Sequence, residues 1–344
     1  MIAALTLACL AQAPLPPVRT EIASATAPIA IEPASRAGQA PSRALLREPA
    51  NGEQAALFDL FATPATEAGE AFEWELTHVE DKPSWTRWAL RFPSPLAHGP
   101  SANHEVHGKW FLPTEREGPM PAVVVLHWLG GDFAALDLMC AMLAQRGVGA
   151  LMLYLPHYGP RREGDTRMIT SDQELLVDNF RQAVLDVRRA GDWLAAQPEV
   201  DAERLGVMGI SLGSIVSELV SGIDHHFARQ AFLIGGADVP SIVLGNAREV
   251  RRLRQAVEAR GLSLDDMRRI WHPVEPLTWA SRIRPQTTLM VAATDDEIIP
   301  RSCTEALQAA IGLEQVEWYQ GGHYDIALQL LRVGGMVVRH FSAE

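Results

Sequence analysis

The residues Gly209-Ile210-Ser211-Leu212-Gly213 decide the fold of this 344-residue chain, because they place a glycine-flanked serine between a strand pattern and a helix pattern. The preceding run, 204–210, is apolar enough to predict a strand buried on both faces. A serine on such a sharp strand-to-helix turn has strained backbone angles, and side chains at the flanking positions would collide there. The pattern predicts a nucleophile at Ser211, and a glycine-rich turn with an incidental serine is the alternative interpretation.

Strand and helix patterns continue on both sides of this turn. Three upstream strand patterns predict an antiparallel lead-in, at 72–80, 85–92 and 105–112. Buried strands then alternate with helices, with strands predicted at 122–127, 148–155, 204–210, 228–234, 287–293 and 316–319, and helices at 133–146, 172–197, 302–311 and 324–341. This alternation predicts an α/β fold with a mostly parallel sheet and helices on both faces. A polar helical segment at 238–285 predicts an insertion over the edge of the sheet where ligands bind.

A serine hydroxyl becomes a good nucleophile when an oriented base takes its proton. His323 follows the strand pattern at 316–319 and a pair of glycines, where a base on a turn could reach across the edge of the sheet. A surface or helix-capping histidine is the alternative interpretation. The orienting acid is expected between serine and histidine, and Asp295 and Asp296 follow the strand pattern at 287–293.

Three segments together resemble the catalytic loops of the α/β-hydrolase superfamily: Gly209–Gly213, Asp296-Glu-Ile-Ile-Pro300 and Gly322-His323, in that order. The resemblance covers about residues 100–344 and implies an α/β-hydrolase fold with a Ser-His-Asp triad. In that superfamily the acid usually lies four residues before the proline of an Asp-x-x-Val-Pro motif, so Pro300 favours Asp296 over Asp295. Asp238 remains an alternative acid, because some members carry theirs after the earlier strand.

An oxyanion hole needs two backbone N–H groups, since the tetrahedral intermediate concentrates charge on one oxygen. One donor is expected from Leu212, directly after the serine. The loop His127-Trp128-Leu129-Gly130-Gly131 resembles the superfamily's His-Gly-x-Gly loop, and that correspondence implies Leu129 as the second donor. Trp128 stands where glycine is usual, so its own amide is the alternative donor. We expect His127 to be structural.

The loop Leu155–Arg162 follows a buried strand and is similar to loops in the dienelactone-hydrolase, acetyl-xylan-esterase and prolyl-oligopeptidase-like branches of the superfamily. His157 and Tyr158 of this loop are therefore candidate residues of a substrate pocket. Trp128, from the loop that follows the strand pattern at 122–127, is a third candidate. A loop stiffened by proline and glycine is an equally good interpretation of the segment.

Composition narrows the range of partners. A net charge of -12 disfavours nucleic acid and anionic membrane surfaces, and no run is long enough to predict an integral membrane segment. Three cysteines show no zinc-ligand spacing, and no phosphate-binding glycine motif is present. Together with this composition, the resemblance to α/β-hydrolases implies a small-molecule ester as substrate and no metal or cofactor. Nothing in the sequence predicts the oligomeric state.

The N-terminal residues indicate three parts of the chain. Residues 1–13 are apolar and end in a small-x-small pattern but carry no basic region, which indicates a truncated signal peptide. Residues 14–50 are rich in alanine and proline and predict a flexible tether. Residues 51–344 are then a single α/β-hydrolase domain. This order favours an exported protein, periplasmic or secreted, with a cytoplasmic protein as the alternative.

The predicted function is hydrolysis of carboxylic esters by a serine hydrolase through an acyl-enzyme intermediate. A peptidase or thioesterase with the same triad is one alternative. A non-catalytic binding protein on the same fold is the other, since fold does not dictate function.

Overall fold

Ten strands form one sheet in the part of the chain that the computed structural model describes, residues 34–130 and 133–343. The strands are β1 (Ser35–Pro41), β2 (Ala71–Lys82), β3 (Trp85–Pro93), β4 (Glu105–Pro113), β5 (Met120–Leu126), β6 (Gly149–Leu153), β7 (Val200–Ile210), β8 (Arg229–Leu233), β9 (Thr288–Ala293) and β10 (Glu317–Tyr319). Their spatial order is β1-β2-β3-β4-β6-β5-β7-β8-β9-β10. Along this spatial order, each neighbouring pair from β1 through β4 to β6 is antiparallel. Each neighbouring pair from β6 through β5 to β10 is parallel. The predicted fold class is confirmed.

The position of the site follows from where the strand order reverses. After β5 the chain crosses to β6 on one side, and after β7 it crosses to β8 on the other. The loops that follow β5 and β7 therefore diverge and leave a crevice at the carboxyl ends of these two strands, which is where ligands bind in open α/β sheets. Ser211 follows β7 and the loop beginning at His127 follows β5, so both candidate elements reach this crevice.

Helices cover both faces of the sheet. They are α1 (Gly52–Leu57), α2 (Pro64–Glu67), α3 (Ala134–Ala144), α4 (Gln173–Ala195), α5 (Leu212–Ile223), α6 (Val239–Val243), α7 (Arg251–Ala259), α8 (Leu264–Trp271), α9 (Pro276–Trp279), α10 (Arg301–Ile311) and α11 (Leu330–Ser342). Alternate residues of β5 enter different cores: Val124 packs in the core that contains α4 and α5, and Val123 and Val125 pack in the core that contains α3 and α11. This two-residue period explains why the run 122–126 is apolar at every position.

The tether prediction is wrong for part of the segment 14–50. Residues 1–13 and 14–33 lie outside the described residues, but Ser35–Pro41 form β1, which pairs antiparallel with β2 at the edge of the sheet. The folded domain thus includes residues before 51. Residues 35–41 show no strand pattern because β1 is mostly exposed, so its pairing rests on backbone hydrogen bonds rather than on alternating apolar side chains.

The segment 238–285 is helical, from α6 to α9 and the 3₁₀ turns beside them. Its tryptophans are buried: Trp279 packs against Phe58 and Phe61, with ring centroids at 5.1 and 5.6 Å, and Trp271 Nε1 donates to Gln173 Oε1 at 3.1 Å. They attach the segment to the rest of the fold rather than line a cleft.

The last helix differs from its predicted span of 324–341. A 3₁₀ turn occupies His323–Ala327, and the α-helix starts at Leu330. The turn forms because Asp325 Oδ2 accepts from the Gly322 amide at 2.8 Å and so ends the loop locally. Among the helices of the described residues, none combines the length and the apolar character that crossing a membrane requires.

Candidate active site

Ser211 lies on a strained turn between β7 and α5. Its backbone angles are φ 54° and ψ -113°, a conformation that a non-glycine residue rarely adopts. A Cβ on Gly209 would lie 2.0 Å from the Gly213 carbonyl oxygen, and one on Gly213 would lie 2.5 Å from the Leu126 carbonyl oxygen. Both flanking positions therefore require glycine, because the turn brings the start of α5 against the end of β7 at Gly209 and against the end of β5 at Gly213.

The structure brings the predicted serine, histidine and acid into one hydrogen-bonded chain. His323 Nε2 lies 2.8 Å from Ser211 Oγ, and His323 Nδ1 lies 2.8 and 3.0 Å from the two carboxylate oxygens of Asp296. Ser211 and His323 are both buried. With Nδ1–H donating to the carboxylate, Nε2 is left to accept the serine proton, which is the arrangement that a general base requires.

Three neighbouring hydrogen bonds hold Asp296 and His323 in place. Asp296 Oδ1 accepts from the amides of Ile298 and Ile299 at 2.9 and 2.7 Å, so the carboxylate is fixed by its own turn. Glu297 Oε2 accepts from the His323 amide at 2.9 Å and ties the histidine loop to the acid loop. Glu297 is a site residue that was not predicted from the sequence. Its position directly after the acid was visible, but its partner is 26 residues away.

The alternative acids lie elsewhere. Asp238 pairs with Arg268, with nitrogen to oxygen distances of 2.9 and 3.2 Å, and also accepts from Ser241. Asp295 Oδ2 accepts from Gln320 Nε2 at 2.7 Å and from the hydroxyl of Thr294 at 2.8 Å. Of the three carboxylates, Asp296 is the one that contacts His323.

The candidate oxyanion amides lie on the two loops of the crevice. Leu212 is the first residue of α5, so the helix leaves its N–H without an internal partner. In the other loop His127 Nδ1 donates to the Trp128 carbonyl at 2.9 Å, while Nε2 accepts from the Leu155 amide at 3.1 Å. Burial lowers the pKa of His127 to about 4, which keeps the ring neutral for these two roles.

The hydrogen bond from His127 Nδ1 to the Trp128 carbonyl also orients the peptide between Trp128 and Leu129. A trans peptide is planar, so the Leu129 N–H points opposite to the Trp128 carbonyl and away from His127. Leu129 is partly exposed at the loop surface. Trp128 is half-buried and packs against the core on the α3 face, which differs from its predicted place in the pocket. Burial of its apolar ring against this core is more favourable in free energy than exposure of the ring to water on the loop.

The loop after β6 is built on a buried polar network. His157 has φ 63°, and its Nε2 lies 3.1 Å from Asn179 Oδ1 while its amide donates to Asn103. Burial lowers the pKa of His157. Arg161 is fully buried and pairs with Asp186 at 2.8 Å. The Tyr158 ring packs against His127 with centroids 4.5 Å apart, and burial raises the pKa of its hydroxyl to about 12.

Two cavities adjoin these loops. One has a volume of about 860 Å³ and is lined by Leu129, Gly130, His157 and Tyr158, by several residues of the loop between Arg162 and Ser171, and by part of α7. The other, of about 560 Å³, is lined by residues 246–249 and by Glu297 and Tyr324. His157 and Tyr158 lie at the wall of the larger cavity, and neither cavity is lined by Trp128. Glu249 lines both cavities and accepts from the Tyr324 hydroxyl at 2.8 Å.

No group of three or more histidine, cysteine, aspartate or glutamate side chains in the described residues is arranged to hold a metal ion. The adjacent histidines His225 and His226 use separate partners, the Arg282 carbonyl and the Asp224 carboxylate.

The sequence model of the dienelactone hydrolase family matches residues 106–324, which include the loops of both candidate oxyanion amides and the serine, acid and histidine. No curated protein matches the chain.

Similar solved structures share the fold at low sequence identity. Acetyl xylan esterase 1 from Thermoanaerobacterium sp. JW/SL YS485 has a TM-score of 0.58 and 18% identity, covering 76% of this chain and 87% of its own. The acetyl xylan esterase from Paenibacillus sp. R4 has a TM-score of 0.56 and 19% identity, covering 82% of this chain and 91% of its own. An acylaminoacyl peptidase from Pyrococcus horikoshii has a TM-score of 0.53 and 14% identity, covering 79% of this chain and 45% of its own.

Proposed function

The chain belongs to the dienelactone hydrolase family, and from this premise we propose that it is a serine hydrolase that cleaves carboxylic esters through Ser211, His323 and Asp296. Family membership and its hydrolase neighbours make the chain a hydrolase of the α/β-hydrolase superfamily. The observation that carries the finer proposal is the unbroken contact from Ser211 Oγ to His323 and on to Asp296.

The proposed reaction follows from these contacts. His323 Nε2 takes the hydroxyl proton as Ser211 Oγ attacks the ester carbonyl, and Asp296 stabilises the imidazolium that forms. The amides of Leu212 and Leu129 donate to the oxyanion. When the intermediate collapses, the imidazolium returns its proton to the departing alkoxide. Water then attacks the acyl-enzyme with His323 again as base, which releases the acid and restores the serine.

Ester rather than amide substrates are supported by several proteins of similar fold, which include two acetyl xylan esterases and a cold-adapted esterase with a TM-score of 0.51. A peptidase is the second candidate, because an acylaminoacyl peptidase shares the fold. A thioesterase would use the same groups. Turnover of an anilide and a thioester carrying the same acyl group as the ester separates these three activities.

The test is hydrolysis of p-nitrophenyl esters from acetate to palmitate by the wild-type protein, by Ser211→Ala and by Ser221→Ala. Ser221 lies on the same helix, α5, and its hydroxyl donates to the Ser217 carbonyl, so it controls for loss of a buried hydroxyl. We expect Ser211→Ala to lower kcat by about 10⁴-fold or more and Ser221→Ala to retain most of the activity.

Labelling gives an independent measurement. A fluorophosphonate should modify wild-type protein at Ser211, located by mass spectrometry, and should leave Ser211→Ala unmodified. Absence of both ester turnover and labelling in the folded wild-type protein would contradict the proposal and favour a binding protein on this fold.

A further inference from the structure

A third cavity lies outside the active site, where α2, the start of β2 and the 3₁₀ turn Ser101–His104 meet. Its volume is about 550 Å³, which falls within the range of about 300 to 1,000 Å³ that is usual for small-molecule sites. Of the described residues that line it, none also lines either cavity beside the candidate active site. Arg189 of α4 is part of its wall.

Arg189 is a buried cation that has no carboxylate of its own. Its exposed fraction is 7%, and in the part of the chain that the structure describes no carboxylate lies within the 4.0 Å of an ion pair. Its Nη1 donates to the Pro93 carbonyl at 2.9 Å, whereas its Nε is buried and has no hydrogen-bond partner among the described residues. Burial of an incompletely paired charge is unfavourable, and burial accordingly lowers the pKa of Arg189.

The carboxylates buried around α4 are already used by other arginines. Three such ion pairs are Arg43 with Asp192 at 2.7 Å, Arg161 with Asp186 at 2.8 Å and Arg188 with Asp224 at 2.8 Å. Asp186 and Asp192 act on Arg189 only through longer-range electrostatics. Of these four arginines, Arg189 is therefore the one that can receive an anion from outside the chain.

The rim of this cavity carries the opposite charge to its floor at Arg189. Glu70 and Glu73 are exposed at the rim, and within residues 34–130 and 133–343 neither has an ion-pair partner. Glu105 also lines the cavity, but His107 Nε2 lies 3.0 Å from its carboxylate. The two free carboxylates would repel an anion, and the guanidinium would repel a cation. A ligand that carries both charges avoids both repulsions.

We propose that this cavity binds a small zwitterion, with the ligand's carboxylate on Arg189 and its ammonium group at Glu70 and Glu73. The two charges lie at opposite ends of such a ligand, because Arg189 is buried at the floor whereas the two glutamates are exposed at the rim. A carboxylate supplies acceptors for the guanidinium, and charge-assisted hydrogen bonds between these groups are about twice as strong as neutral ones. The site is independent of the ester hydrolysis proposed above.

The experiment measures binding of 6-aminohexanoate to the full chain by isothermal titration calorimetry at low ionic strength. Three matched probes each change one feature: hexanoate lacks the ammonium group, hexylamine lacks the carboxylate, and norleucine carries both charges at the same end. We expect 6-aminohexanoate to bind about tenfold or more tightly than each of the three probes. Equal affinity for any of these probes would overturn the proposed two-ended recognition.

Substitutions at the two ends test the assigned residues. Arg189→Gln should weaken binding of 6-aminohexanoate by about tenfold or more, because it removes the charge but keeps an N–H donor. The double substitution Glu70→Gln with Glu73→Gln should weaken it by about threefold or more. Glu75→Gln is the matched control, since Glu75 lies on the same strand, β2, and does not line the cavity, so its affinity should equal that of the wild type.

The double glutamate variant keeps the test decisive if Arg189→Gln does not fold, because both glutamates are exposed. Wild-type affinity in that double variant, or an equal loss of affinity in Glu75→Gln, would refute the role of the rim.

One more variant separates this cavity from the candidate active site. Arg252 lines the larger cavity beside the oxyanion loop, so Arg252→Gln should bind 6-aminohexanoate as the wild type does. Loss of binding in Arg252→Gln but not in Arg189→Gln would place the ligand beside Ser211 and overturn the proposal. Absence of binding to the wild-type protein at millimolar concentrations would overturn it as well, whether or not the protein hydrolyses esters.

Discussion

At the scale of single residues, the site depends on which acidic side chain already has a partner. Asp238 follows β8 and was a candidate acid, but Arg268 binds both of its oxygens, with the shorter contact at 2.9 Å. Asp296 has its backbone partners on one oxygen and presents both oxygens to His323 Nδ1. Of these two carboxylates, the one that orients the histidine is therefore the one that no arginine contacts.

Asp296→Asn tests this assignment. We expect kcat for p-nitrophenyl acetate to fall by about 10³- to 10⁴-fold, because the amide can donate to Nδ1 and so favour the wrong tautomer of His323. Asp238→Asn should change kcat by less than about tenfold, although it loses its ion pair with Arg268. The opposite ranking of the two variants would show that the acid lies at Asp238.

Gly213→Ala tests the close approach at the serine turn. The added methyl would lie 2.5 Å from the Leu126 carbonyl oxygen, so β5 and α5 must separate. We expect the free energy of unfolding, measured by urea denaturation, to fall by about 1–3 kcal/mol. Gly52→Ala is the control, because a Cβ there meets no atom within 4 Å and the change should stay within about 0.5 kcal/mol. Equal losses in both variants would count against this account of the glycine.

At the scale of elements, one buried arginine joins the N-terminal segment to the core. Arg282 donates to the carbonyls of Leu46 and Arg47 at 2.8 and 2.7 Å, and also to that of Pro49. Its Nε donates to the Gly222 carbonyl near the end of α5 at 2.6 Å. The guanidinium is buried and has carbonyl rather than carboxylate partners, so it acts as a multiple hydrogen-bond donor.

Arg282→Ala should therefore destabilise the fold by about 3 kcal/mol or more, because several buried carbonyls lose their donor together. Residues 42–50 should also become accessible to limited proteolysis. Arg284→Ala is the control, since Arg284 is exposed and donates to a single carbonyl, that of His225. Protection of residues 42–50 in Arg282→Ala equal to that in the wild-type protein would refute the anchoring role.

At the scale of the whole molecule, the acidic chain buries carboxylates beneath the site. Glu218 of α5 is fully buried and accepts from Ser214, and burial raises its pKa well above the usual value. Glu275 accepts from the amides of Asp238 and Val239 at 2.7 and 2.9 Å, and burial raises its pKa to about 7. Such groups make the folding equilibrium depend on pH.

The sign for Glu275 follows from its raised pKa. The folded state holds this proton more tightly than the unfolded state, so its contribution to stability is complete below about pH 4.5 and is lost as the pH rises through 7. We expect the difference in unfolding free energy between wild type and Glu275→Gln to fall by about 3 kcal/mol between pH 4.5 and pH 8, measured by urea denaturation.

The exposed Glu203 supplies the matched substitution, and Glu203→Gln should show a difference that is constant over this range. A constant difference for Glu275→Gln as well would mean that its carboxylate ionises alike in the folded and unfolded chains.

The sequence by itself determined the serine turn, the strand and helix pattern and the fold class, because these depend on local backbone sterics and on the two-residue period of buried strands. The tertiary structure decided between the candidate aspartates by placing Asp296 against His323, and it alone revealed the edge position of β1 and the His127 contact with the Trp128 carbonyl. Each of these is set by which side chains or backbone groups meet in space, and no local pattern encodes such a meeting.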